Sequence, residues 1–245
     1  MTTTTAPRPI VVCFSPKGGV GVTTLTAALV RKSPVPLVAF DLTGTDDLAA
    51  VLEYETAYTV GSLARRAGAP GIALQTLIRR HRRKLLLVTA TRQDRTLYPE
   101  APIGLIRAAR ALRPVVVDAG RRLWPGLAPV ATHLLLVVTP DARAIHRAEA
   151  ALARLREHAG RIIVVENRST GASLCPTAWN AFPLPAGRPS LRGLLRGEYG
   201  QAVEELVEKI IPRPEPEPGA DPGDAPAREE RGIIRSAVKR LTQGG

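Results

Sequence analysis

Apolar residues in this chain fall into short unbroken runs, separated by stretches where apolar positions recur every three or four residues. The runs are residues 10–14 (IVVCF), 36–40 (PLVAF), 85–89 (LLLVT), 115–117 (VVV), 134–138 (LLLVV) and 162–165 (IIVV). A short run with no polar alternate predicts a strand covered on both faces, since a strand with one wet face would alternate. From Val22 onward Leu25, Ala28 and Leu29 share one face of a predicted helix that ends before Pro34, and residues 103–112 and 142–158 read as alanine- and leucine-rich helices. Buried strands alternating with helices predict an α/β fold, a doubly wound and mostly parallel sheet with helices on both sides. There is no internal repeat.

The pattern breaks after Ile211. The stretch PRPEPEPGADPGDAPAREE carries six prolines among glycines and acids, too little apolar surface to pack and too much proline for a helix. Beyond it a helical pattern returns, with Ile233, Ile234, Ala237, Val238 and Leu241 on one face and Arg231, Arg235, Lys239 and Arg240 around it. The expected organisation is a flexible start (1–8), a single α/β domain (9–211), a proline-rich linker (212–229) and a basic amphipathic C-terminal helix (230–245). A basic helix with a modest apolar face on such a linker has the pattern of an interfacial membrane anchor, with residues Ile233, Ile234, Arg235, Val238, Lys239 and Leu241 as its contact set. The bland alternatives are a frayed basic tail or a partner-binding helix.

Composition narrows the setting. A chain of 245 residues with 44% hydrophobic content can bury one sizeable core. Cys13 and Cys175 lie far apart without metal-ligand spacing, and the first apolar run is too short for a signal peptide, so a reduced, cytoplasmic protein is expected. No stretch approaches the roughly 20 apolar residues that span a bilayer. The 34 Lys and Arg against 22 Asp and Glu give a net charge of +12, which draws a protein toward nucleic acid or acidic lipid without choosing between them.

The densest chemistry lies directly after the first run, in residues 17–24, KGGVGVTT. Strand, glycine loop and helix in that order aim backbone N–H groups and a helix N-terminus at an anion. A complete phosphate-binding loop also carries a lysine for the β- and γ-phosphates and a Ser or Thr for Mg²⁺. Here Gly18, Gly19, Gly21, Thr23 and Thr24 stand, but Val22 holds the lysine position. Other residues offer less. His81 sits in a basic run that reads best as a solvated helix end, His133, His146 and His158 lack metal or triad spacing, and Trp124 and Trp179 read as packing residues.

With Lys17 ahead of two glycines, SPKGGVGVTT resembles the deviant P-loop of the MinD and ParA family of ATPases, and the likeness is greatest to its MinD-like members. VAFDLTGTDDLAAVL resembles the family's second strand and switch, with Asp41 at the first acidic position and Thr43 at the second. VVVDAG matches the Walker B strand, LLLVVTPDARAIHRAEAAL the following strand and helix, and VVENRS puts Asn167 where relatives contact adenine. The resemblance covers about residues 9–211 and implies a P-loop NTPase fold. It implies ATP bound by Lys17, Gly18, Gly19, Gly21, Thr23, Thr24 and Asn167, Mg²⁺ at Thr23 and Asp118, and Lys17 and Asp41 as what remains of the catalytic set. In the family's ATP-bound dimers the early lysine reaches across to the partner's nucleotide, so a homodimer is implied too.

Replacing the loop lysine by valine removes a charge-assisted contact, on the order of 1.5–3 kcal/mol, and a source of transition-state stabilisation. Thr43 removes a carboxylate used around the attacking water. The expectation is a positioning or recruitment protein of a division, pilus or flagellum system, peripheral to the inner face of the membrane, with weak ATP and Mg²⁺ binding and impaired hydrolysis. The alternatives are a ParA-like protein holding DNA through surface arginines, and an active ATPase with a compensating lysine.

Overall fold

The computed structural model of the chain describes residues 8–56, 58–66, 69–169, 175–186, 193 and 195–212. All of these belong to the unit Met1–Arg213. The linker, the C-terminal segment with Ile233, Ile234, Arg235, Val238, Lys239 and Leu241, and residues 1–7 of the expected flexible start lie outside the described residues.

The first apolar run forms β1 (Ile10–Phe14), in which every residue is buried. Its side chains alternate between two cores, Ile10, Val12 and Phe14 facing one and Val11 and Cys13 the other. That is the period-2 geometry of a strand covered on both faces. The glycine loop leads into α1 (Val22–Lys32), followed by β2 (Leu37–Asp41), α2 (Asp47–Leu52), the short β3 (Tyr58–Thr59), α3 (Val60–Ala64), α4 (Pro70–Arg80) and β4 (Leu85–Thr89). Then come α5 (Arg92–Leu97), α6 (Ala101–Arg110), β5 (Val115–Asp118), α7 (Leu127–Val130), β6 (His133–Val138), α8 (Ala142–Arg154), β7 (Ile162–Ser169), β8 (Phe182–Pro185) and α9 (Gly197–Ile210).

The strands make one sheet in the order β3-β4-β2-β5-β1-β6-β7-β8, and every pairing in it is parallel. Helices α1, α2 and α9 bury Leu25, Leu29, Leu48, Leu52, Val203 and Leu206 on one face. Helices α3, α4, α6, α7 and α8 supply Leu63, Leu74, Leu105, Leu127 and Ala148 to the other. The predicted doubly wound α/β fold is therefore the observed one.

Some boundaries differ from expectation. The helix predicted over residues 142–158 stops at Arg154 and continues as a 3₁₀ turn, Arg156–Arg161, because Gly160 and the approach to β7 leave too few apolar positions for another α turn. Strands β3 and β8 were not anticipated. The first has only two residues and the second, FPLP, contains two prolines, which an edge strand tolerates because one side needs no donors. The arrangement that matters for function is that β5 and β6 flank β1, so the chain leaves β1 at the point where strand order diverges to both sides, where open parallel sheets form a crevice at their carboxyl ends.

Candidate functional site

The loop between β1 and α1 is shaped by two left-handed glycines, Gly19 at φ 76° and Gly21 at φ 94°. Gly21 begins the helix, its carbonyl accepting from the Leu25 amide at 2.9 Å. A side chain here would also collide, since a Cβ would stand 2.5 Å from Asn167 Nδ2. Asn167, at the end of β7, is buried and donates from Nδ2 to the Val20 carbonyl at 2.7 Å, while its Oδ1 accepts from the Arg168 amide. The residue expected near adenine is thus also tied to the glycine loop through the Val20 carbonyl. From the other side the Ser15 amide donates to the Gly120 carbonyl at 2.9 Å, tying the loop's base to the turn after β5.

The loop opens into a cleft of about 660 Å³ at the carboxyl edge of the sheet. Its walls include Lys17, Gly18, Gly19, Gly21, Thr23 and Thr24, and, from other elements, Thr43, Asp47, Arg95, Arg121, Arg122 and Arg168. Val22 contacts the cleft but is only 8% exposed, because its side chain packs in the core beneath α1. The position that would present an ammonium presents buried hydrocarbon.

Lys17 is committed within its own chain. Its Nζ pairs with Asp141 Oδ2 at 2.7 Å, the side chains being 29% and 40% exposed. Asp141 also accepts from Thr139 Oγ1 and, as the N-cap of α8, from the Ala144 amide at 3.0 Å. The Lys17 ammonium, then Thr139 and the helix amide, hold its carboxyl well below the usual carboxylate range.

Asp41 and Asp118 face one another in register at the ends of β2 and β5. Asp41 is fully used by its own loop, accepting from the Thr43 amide at 2.9 Å, from Thr43 Oγ1, and from the Leu48 amide at 3.1 Å. Thr43 Oγ1 also meets Thr45 Oγ1 at 2.8 Å, and Thr45 donates to Asp47 at 2.7 Å, so hydroxyls link the two carboxylates.

Asp118 is different. Its Oδ1 accepts from the Gly120 amide at 2.9 Å, but Oδ2, fully buried, makes no hydrogen bond of normal length. Burial pushes its carboxyl up to about 7, against the nearby Thr23 hydroxyl and with help from the negative charge of Asp41. An orphaned buried carboxylate oxygen beside a threonine at a helix N-terminus fits a hard cation. Mg²⁺ takes few protein ligands and completes its shell with water and phosphate, so Thr23 and Asp118 would hold it, and the ion would screen phosphate charge. Among the described residues no group of three His, Cys, Asp or Glu could hold a metal by itself.

Sequence reasoning passed over the four arginines of the cleft. They come from α5, the turn after β5 and the end of β7, and among the described residues Asp47 is the one carboxylate lining the cleft with them. Arg95 stacks on the buried Trp124, its guanidinium carbon 4.8 Å from the ring centroid, and Trp124 donates to the Pro99 carbonyl, so that indole is a packing residue as expected. Arg121 and Arg122 directly follow VVVDAG, which was the signal available. The other candidates lie elsewhere. His81 caps α4 and contacts the Leu85 carbonyl at 2.7 Å, His146 is exposed beside Glu149, and Cys13 is an enclosed thiol pushed up to about 12 by burial.

No protein-family model and no curated protein matches this chain. Solved structures do. A ParA family ATPase from Chlorobium tepidum superposes with a TM-score of 0.65 at 17% identity, covering 82% of this chain and 98% of that one. MinD of Aquifex aeolicus, in a cell-division complex with MinC, gives 0.59 at 22% identity over 85% and 98% of the two chains. A variant of Cyanothece McdA, in complex with ATP, gives 0.53 at 14% identity over 86% and 99%. The chain has the fold of ParA and MinD family ATPases.

Proposed function

We propose that this ParA/MinD-type domain serves spatial positioning or recruitment, acting at a membrane surface and hydrolysing ATP slowly or not at all. One observation carries the reading. The glycine loop keeps its left-handed turns and opens on a cleft with an orphaned Asp118 oxygen, yet Val22 at the loop's charged position is folded into the core. The shape for a phosphate remains while the charge that the loop should supply is gone.

In this reading the loop amides and the α1 terminus hold phosphate, Thr23 and Asp118 hold Mg²⁺, and nucleotide acts as a weakly bound ligand more than as a consumed substrate. Asp41 and Thr43 satisfy one another and leave no free carboxylate at that end of β2 to orient a water. The pairing of Lys17 with Asp141 argues against Lys17 as a substitute for the missing lysine within its own chain. A protein partner of a positioning system and a homodimer follow from the same family logic, and residues 230–245 supply the peripheral membrane contact on the inner face.

Turnover measurements test this. Wild type should hydrolyse ATP at the background rate. Val22→Lys should strengthen ATP binding by about 10- to 100-fold, the equivalent of the 1.5–3 kcal/mol of a charged hydrogen bond, with little gain in turnover. Val22→Lys with Thr43→Asp should gain appreciable activity. Wild-type turnover equal to that of the double variant would overturn the impaired-ATPase reading.

A further inference from the structure

We propose that Arg121 replaces the missing loop lysine, carrying the cationic contact to the polyphosphate of a bound nucleotide from the turn after β5. The inference rests on the reading of the cleft as a phosphate site and assigns its principal cation.

The side chain lies where the role requires. A Cβ built on Gly18 would stand 3.2 Å from Arg121 Cδ, 3.5 Å from Nε and 3.9 Å from Cζ, so the guanidinium stem runs along the bare face of the glycine loop. Its backbone is anchored to that loop as well. Gly120, in the left-handed region at φ 59°, donates its amide to Asp118 Oδ1 and accepts the Ser15 amide, both at 2.9 Å. The residue that follows therefore starts from a point rigidly tied to the base of β1 and its loop.

The group is also uncommitted. Arg121 makes no ion pair or side-chain hydrogen bond among the described residues, unlike Lys17 with Asp141 and Arg113 with the carbonyls of Ile78, His81 and Arg83. Arg122 and Arg168 line the same cleft, so the field around Arg121 stays positive. A cleft gathering these charges around helix amides would be unfavourable without an anion. The buried, unpartnered Asp118 Oδ2 beside Thr23 points independently to a ligand that includes a cation, as a metal-bound polyphosphate does. A guanidinium supplies two parallel donors to phosphate oxygens, where a lysine supplies a point charge.

The test uses the full chain, a fluorescent ADP analogue with Mg²⁺, and inorganic pyrophosphate as a competitor. Arg121→Ala should weaken both probes about tenfold or more, the scale of one charged hydrogen bond. Arg121→Lys should recover part of the loss. If the two positions supply one contact, the Arg121→Ala penalty should shrink severalfold in a Val22→Lys background. Arg147→Ala, on the exposed face of α8, should change nothing. Thermal midpoints check that each variant folds.

Equal affinity of wild type and Arg121→Ala would overturn the assignment and leave the phosphate site standing. An equal loss from Arg147→Ala would reduce it to net charge and likewise overturn it. Binding of pyrophosphate without the ADP analogue, lost in Arg121→Ala, would uphold the clamp and remove the nucleotide. A wild type that takes neither probe would overturn both readings.

Discussion

Asp118 is the residue whose environment says most about the site. Its carboxyl is pushed up to about 7 by burial, and Asp41 and Asp47 add negative charge nearby. An ordinary aspartate titrates near 3.9, so between about pH 4 and about pH 7 the metal-free folded chain holds a proton that the unfolded chain has released. Stability from this group is therefore greatest below about pH 4 and falls as pH rises to about 7. Asp141 acts oppositely, but its depressed titration lies below this window, and His133, lowered by burial, favours the fold as pH rises. The comparison that isolates Asp118 is with Asp118→Asn. In metal-free urea titrations at about pH 5 and about pH 8, the variant should be the more stable by about 1 kcal/mol or more at the higher pH, with the gap narrowing at the lower. A gap independent of pH would mean that the buried carboxyl titrates normally.

At the scale of elements, the site depends on helices seated tightly against the sheet. Helix α9 buries Tyr199, Val203, Leu206, Val207 and Ile210 beside α1 and β8. Its first turn passes so close to the preceding chain that a Cβ on Gly200 would overlap the Leu195 carbonyl, and backbone cannot swing aside as a side chain can. Gly200→Ala should cost about 1–3 kcal/mol by overpacking, whereas Gly104→Ala, on the exposed face of α6 with nothing within 4 Å, should gain up to about 1 kcal/mol from helix propensity. Thermal denaturation of the pair checks it. The opposite order would show that α9 is not packed this closely.

At the scale of the whole molecule, the proposed membrane role rests on residues 230–245. If this stretch forms the helix its sequence pattern predicts, Ile233, Ile234, Ala237, Val238 and Leu241 would share a modest apolar face with Arg231, Arg235, Lys239 and Arg240 around it. Each cation adds about 1 kcal/mol of attraction near anionic lipid. Binding should need acidic lipid, weaken in high salt, and rise when two chains present their tails together through effective concentration. Ile234→Glu, or a chain ending at Ile211, should lose sedimentation with anionic vesicles and retain the folded domain. Sedimentation equal to wild type would remove the anchor and turn attention to the arginine-rich surface of the domain, with duplex DNA as the next ligand to try.

The α/β fold was legible because parallel strands buried on both faces must be apolar throughout, and such runs as IVVCF and LLLVV are visible without a structure. The glycine loop was legible for a similar reason, since left-handed turns before a helix leave glycines at fixed spacing. Strands β3 and β8 were not, because they are short edge strands with mixed composition that pair only where a neighbour already stands. Nor was the fate of the site's charges. Lys17 and Asp141 are 124 residues apart, and Arg121 and Gly18 come from loops that only the order β5-β1-β6 brings together. Local pattern determines which residues can form a strand, a turn or a phosphate loop. Which cation is paired, and which is left facing the cleft, depends on distances between segments remote in the chain, and those are set by tertiary packing alone.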